Sequence, residues 1–117
     1  MQRDDRIYLG HMLDTARKAV GKVAGCSRAE YDADENLRIA LAHLVQVIGE
    51  AAGRVSDETR TANPQVPWRR ITGIRHRIVH DYMNIDEDIL WEVVKRSLPD
   101  LIVLLEPLAP PDPEPEA

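Results

Sequence analysis

An all-α fold, an antiparallel bundle of four to five helices, is what this sequence predicts on three observations. Apolar residues recur at helical spacing over most of the chain, capping and breaking residues punctuate those stretches, and no segment has the alternation or β-branched enrichment of a strand. A length of 117 residues suits one domain. Residues 1–106 are expected to form it.

The first helix should run from about Asp4 to Ala24, because Tyr8, Met12, Ala16, Ala19, Val20 and Val23 share one side and Gly25 ends the pattern. A second starts near Asp32, where Asp32 with Glu35 makes a variant of the capping box. It carries Leu37, Ala40, Leu41, Leu44, Val45, Ile48 and Ala52 to about Val55. Residues 56–67 hold Ser56, Asp57, Asn63, Pro64 and Pro67 and read as an irregular connection with room for one helical turn. A third helix begins at Pro67 or Trp68 and continues through Ile71, Ile74 and Ile78 toward His80. Asp86 caps a fourth, with Ile89, Leu90, Val93, Val94 and Leu98. Pro99 then either kinks it or starts a fifth segment, Asp100 to Leu105. Trp68 and Trp91 fall at apolar helical positions and are expected in the core. The tail from Pro107 to Ala117 combines prolines and acids with almost nothing to bury, so disorder is expected there.

Composition narrows the setting. Cys26 is the single cysteine, which excludes an internal disulfide, and the N-terminus lacks a basic-apolar-small leader, so a reducing cytoplasmic location is expected. No apolar run approaches the roughly 18 residues of a membrane span. The formal net charge of −5 argues at first against a polyanionic partner, but the charge is unevenly spread. Residues 59–80 hold five arginines and no acid, whereas residues 81–117 hold ten acids and two bases. A local positive field of this kind can steer a polyanion whatever the total charge.

That basic stretch ends in Arg75-His76-Arg77-Ile78-Val79-His80-Asp81-Tyr82. A guanidinium can clamp phosphoryl oxygens, and an imidazole titrating near neutrality can move the protons of a transesterification. On an ideal helix Ile71, Ile74, Ile78 and Tyr82 form one stripe with Arg75 at its edge, while His76 and His80 lie opposite. The same spacing therefore also suits a core tyrosine with two solvated histidines. Arg75 and His80 are about 140° apart around such a helix. Either the helix ends near His80, or a second copy completes the site across a two-fold axis. Two histidines would also supply both the base and the acid that metal-free RNA cleavage needs. His76 and His80 are moreover an i, i+4 pair of the kind that can share zinc, with Asp81 or Asp86 as further ligands. The flanking arginines oppose a cation, and no metal is expected.

The arginine, four residues, histidine, one residue, tyrosine pattern resembles the signature of the HEPN superfamily, in particular the HepT toxins encoded beside minimal nucleotidyltransferases. Similar flanks are Asp5-Arg6-Ile7-Tyr8-Leu9, Ile48-Gly49-Glu50-Ala51-Ala52, Pro67-Trp68-Arg69-Arg70-Ile71 with Gly73, Ile89-Leu90-Trp91 and Leu98-Pro99. The resemblance implies an all-α homodimer, possible within a larger heteromeric complex, that cleaves RNA without a cofactor, with Arg75 and His80 catalytic. His76, Arg77 and Arg70 would bind phosphate. It further implies a nucleotidyltransferase antitoxin that uses ATP and Mg²⁺ to attach AMP to Tyr82. His76 departs from the usual asparagine, and Asp81 places a negative charge beside the motif. A non-catalytic nucleotide-binding or antitoxin-side partner of a transferase, and a plain helical interaction protein, are the alternative readings.

Overall fold

Helix α1 (Arg3–Lys22) lies along a second helix of equal length, α3 (Glu35–Arg54), in a computed structural model that describes residues 1–81 and 84–109. Leu9, Met12, Leu13, Ala16 and Ala19 are buried from α1, and Leu41, Ala42, Val45, Ile48, Ala51 and Ala52 from α3. The alanines let the two backbones approach, and each fully buried leucine or isoleucine contributes about 1.5–3 kcal/mol. Between them sits a short α2 (Arg28–Ala33), reached through a turn in which Gly25 takes a φ of 71° that side chains disfavour.

The expected start of the second helix is displaced. The reciprocal capping box is Ser27 with Glu30: Ser27 Oγ accepts from the Glu30 amide at 3.1 Å, and Glu30 Oε1 accepts from the Ser27 amide at 3.2 Å. Asp34 then leaves the helical region and caps α3 by accepting from the Leu37 amide at 3.0 Å. One turn does form inside the connection, as α4 (Asp57–Ala62), capped by Ser56.

The third helix departs further from expectation. It is split at Gly73 into α5 (Trp68–Thr72) and α6 (Ile74–Ile78), and it stops before His80. Strand β1 (Val79–Asp81) follows and pairs antiparallel with β2 (Asn84–Ile85), so the expectation of no strand is corrected. The β-branched Val79 and Ile85 face each other in that ladder, but two pairs are too few to produce a visible alternation.

From Glu87 to Leu105 the chain is one helical rod: α7 (Glu87–Glu92), a π-helical stretch Val93–Ser97, and α8 (Leu98–Leu105). Asp86 caps it as expected, accepting from the Ile89 amide at 3.0 Å. The helical backbone runs on through Pro99, with a new α-helical segment, α8, starting one residue before it at Leu98. The wider π turns directly ahead of it absorb the missing donor and the clash with the preceding turn, and Ser97 and Leu98 keep helical dihedrals. Counted as rods, the segments make the helical bundle that periodicity predicts. Leu108 and Ala109 still pack against the core, Trp68 and Trp91 are half-buried at its margin, and residues 110–117 lie outside the described residues. Among the described residues no helix is long and apolar enough to cross a membrane.

One buried charge ties α1 to α4. Asp5 is 2% exposed, and its carboxylate accepts from the Ser56 amide at 2.8 Å, the Ser56 hydroxyl at 2.7 Å and the Thr59 hydroxyl at 2.7 Å. Burial pushes its pKa up, but the bonds from Thr59 and Ser56 outweigh this and hold it below the ordinary 3.8. Because the folded value lies below the unfolded one, the stabilisation is complete above pH 3.8 and is lost as pH falls through the folded value. Asp5→Asn should cost about 1–3 kcal/mol in denaturant unfolding at pH 7. The deficit relative to the wild type should shrink in acid, where the wild-type carboxylate is itself protonated.

Candidate active site

The motif segment is seated on α3 by the absence of a side chain. A Cβ on Gly49 would lie 2.9 Å from the Ile71 carbonyl oxygen and 2.9 Å from Ile74 Cγ2, so only glycine lets α5 and α6 come this close. Ile71, Ile74 and Ile78 are the buried stripe of this segment, as the spacing predicts. Their burial turns the basic residues outward: Arg70, Arg75 and His76 are exposed, and Arg77 is half-buried. Gly73 makes the break between the two short helices, its amide donating to the Arg69 carbonyl at 3.0 Å.

Helix α6 closes when the Val79 amide bonds to the Arg75 carbonyl, and the chain then turns into β1. In the hairpin Val79 opposes Ile85 and Asp81 opposes Asn84, which leaves His80 as the extra residue of a bulge. Bulges re-aim side chains, and His80 is exposed here. Because the helix stops at Ile78, His76 and His80 are not stacked one turn apart, so the helical zinc pair does not form. Among the described residues no cluster of three or more His, Cys, Asp or Glu side chains could hold a metal ion.

The predicted residues fall on separate faces. Arg75 and His76 line a groove with Gln46, Gly49 and Glu50 of α3. Arg70 and Arg77 line a different pocket, between α3 and the π-helical stretch. His80 lines neither, and no hydrogen bond or ring contact joins it to Arg75 among the described residues. Tyr82 lies outside the described residues. Asp81 accepts from Asn84 Nδ2 at 2.9 and 3.0 Å, which directs its charge across the hairpin.

The hairpin is anchored through Asp86 and by Glu87, Tyr31 and Arg38, three residues that sequence reading did not single out. The Asp86 amide donates to the Ile78 carbonyl at 2.7 Å, joining the start of α7 to the end of α6. The next residue, Glu87, accepts from the Tyr31 hydroxyl at 2.6 Å and pairs with Arg38 Nε at 3.6 Å. Tyr31 is fully buried, its ring tilted against Trp91 at 4.8 Å. Burial, with the Glu87 carboxylate second, holds its phenol well above the ordinary tyrosine range, so it remains a donor. Tyr31 and Glu87 are 56 residues apart, and no local pattern announces the pair. Gly49 did carry a signal, since a glycine inside a strong helical repeat calls for a packing reason, although Gly53 of the same helix meets nothing within 4 Å.

The chain belongs to the ribonuclease HepT-like family, whose profile matches residues 12–108. A candidate RNase of Caldanaerobacter subterraneus subsp. tengcongensis is 31% identical over 96 residues, spanning 82% of this chain and 86% of that protein. A candidate RNase of Methanocaldococcus jannaschii is 28% identical over 100 residues, or 86% of this chain and 92% of the other. A candidate ribonuclease HepT of Thermococcus cleftensis is 28% identical over 101 residues, with the same two coverages. No solved structure matches significantly.

Gly49→Ala should destabilise by about 1–3 kcal/mol, since the Ile71 carbonyl is backbone and cannot swing aside. Gly53→Ala, where nothing lies within 4 Å, should be neutral or stabilising by up to about 1 kcal/mol. Thermal unfolding of the two variants checks the contrast. Tyr31→Phe removes a bond to a charged acceptor and should cost about 1.5–3 kcal/mol by denaturant titration.

Proposed function

We propose that this chain is the toxin of a toxin–antitoxin pair, a metal-independent endoribonuclease acting through Arg75 and His80 at a cleft between two copies. The observation that carries the reading is the end of α6 at Ile78. It leaves His80 exposed on a bulge just beyond Arg75, His76 and Arg77, within a stretch free of acids. Membership of a ribonuclease family supports the same chemistry.

In this reading one His80 takes the proton of a ribose 2′-hydroxyl, whose oxygen attacks phosphorus. The bond to the 5′-oxygen breaks, and the His80 of a second copy protonates the leaving oxygen. The products are a 2′,3′-cyclic phosphate and a 5′-hydroxyl. Arg75 neutralises the extra charge on the five-coordinate phosphorus. Among the described residues no hydrogen bond or ring contact joins the two side chains within one chain, which favours a site completed by a second copy. Arg70, His76 and Arg77 hold flanking phosphates. A nucleotidyltransferase antitoxin restrains the enzyme by placing AMP on Tyr82, adding bulk and negative charge two residues after His80 in the sequence.

His80→Ala should lower RNA cleavage at least about a hundredfold with helical circular dichroism unchanged. Wild-type products should carry the mapped ends given above, and excess EDTA should leave the rate as it was. An undiminished rate in His80→Ala removes the proposal. After co-expression with the transferase, mass spectrometry should find an AMP-sized increment on Tyr82.

A further inference from the structure

Arg70 and Arg77 line one pocket of about 160 Å³ beside the rod that ends in α8. Apolar side chains make much of its lining, among them Ile48, Val93 and Leu98, all buried. Arg70 is exposed and Arg77 half-buried, and among the described residues neither has an ion pair or a side-chain hydrogen bond. Asp100 lines the pocket too, so two arginines against one acid leave a formal charge of +1 there. Guanidiniums without internal partners call for an anion, and the apolar lining calls for carbon beside it.

The chain itself supplies that combination just past the rod. Beyond Ala109 the sequence reads Pro110-Pro111-Asp112-Pro113-Glu114-Pro115-Glu116-Ala117, with no base, and every three consecutive residues from 111 to 116 include both a proline and an acid. The route is short. Leu101 lines the pocket, Leu105 is one helical turn further on, and the Ala109 amide donates back to the Leu105 carbonyl at 2.9 Å. Ala109 therefore lies roughly 12 Å along the rod from Leu101, whereas eight residues in the extended form that proline favours span roughly 25 Å. Leu108 and Ala109 pack against the core, so the chain leaves the rod close to the protein surface. The groove of Arg75 and His76 is a poorer match, because Glu50 lines it and no residue of the rod does. We propose that residues 110–116 dock in the Arg70 and Arg77 pocket of their own chain, prolines against its apolar lining and acids against the two guanidiniums, and so screen these arginines from a polyanion. Tethering gives the segment an effective concentration in the roughly millimolar range, so contacts too weak to hold a free peptide suffice. Its prolines lower the entropy lost on docking. The docking stands apart from the ribonuclease reading, whereas the screening of RNA rests on it.

The test compares the full chain with a variant carrying Asp112→Asn, Glu114→Gln and Glu116→Gln together, and follows the methyl resonances of Ile48, Val93 and Leu98 at low ionic strength. Neutralising the acids should shift these methyls. Raising the salt to about 0.5 M should bring the wild type and the neutral variant together, and in an Arg70→Ala/Arg77→Ala background the three changes should leave the methyls where they are. Pocket methyls that are the same in the wild type and the neutral variant overturn the proposal. So does a difference that survives the loss of both arginines, or one that fades on dilution and thereby assigns the contact to another molecule. RNA affinity is read on the same samples by fluorescence anisotropy, where the neutral variant should bind roughly three- to tenfold tighter at low salt and lose that gain at about 0.5 M. Responsive methyls with unchanged RNA affinity would keep the docking and sink the screening. RNA cleavage is measured separately, and its absence alongside responsive methyls would sink the nuclease and leave the docked segment standing.

Discussion

Everything at the basic surface depends on how closely α5 and α6 can approach α3. At Gly49 that approach leaves no room for even one carbon, because backbone of the motif segment occupies the space a side chain would take. Contact of this kind is unforgiving, since a carbonyl oxygen has no rotamer by which to retreat. It fixes the rotation of two five-residue helices that are too short to be stable alone. Once Ile71, Ile74 and Ile78 are committed to the core, the arginines between them have nowhere to go but the surface. The concentration of positive charge is thus a consequence of packing.

The far end of the motif is held differently. His80 sits on two short strands, which are marginal without tertiary support. Support comes from α7, whose first turn is fastened on one side by the Ile78 carbonyl and on the other by Tyr31 and Arg38 through Glu87. A buried phenol donating to a carboxylate is strong in such surroundings and costly to leave unmade. The acids of the chain are accordingly placed where they brace the scaffold. Asp5, Asp34, Asp86 and Glu87 each accept specific hydrogen bonds.

Helix lengths, the buried isoleucine stripe and the Asp86 cap were legible because each is a local matter of periodicity or of one side chain meeting a nearby amide. The misreadings were local as well. Ser27 with Glu30 fits the capping box more closely than Asp32 with Glu35, and it is Ser27 that opens α2, the helix from which Tyr31 is buried against Trp91. The third helix read as continuous because the isoleucine spacing passes through Gly73 without a fault, although the backbone breaks there. Pro99 marked a change in the fourth helix, but nothing in a linear pattern reveals that the turns ahead of it widen to π.

By itself, the sequence determined a helical bundle, a focused basic stretch and a set of residue types suited to phosphate chemistry, because those properties follow from composition and spacing along the chain. The tertiary structure alone decided which of those residues share a face. It set Arg75 with His76 over Glu50, turned Arg70 and Arg77 to a separate apolar pocket, and lifted His80 onto a bulge. The reason is geometric. Rotation about a helix axis is relative until a neighbour fixes it, and here the neighbours are α3 at Gly49, far away in sequence, and α7 at Glu87, itself held by Tyr31 from 56 residues away.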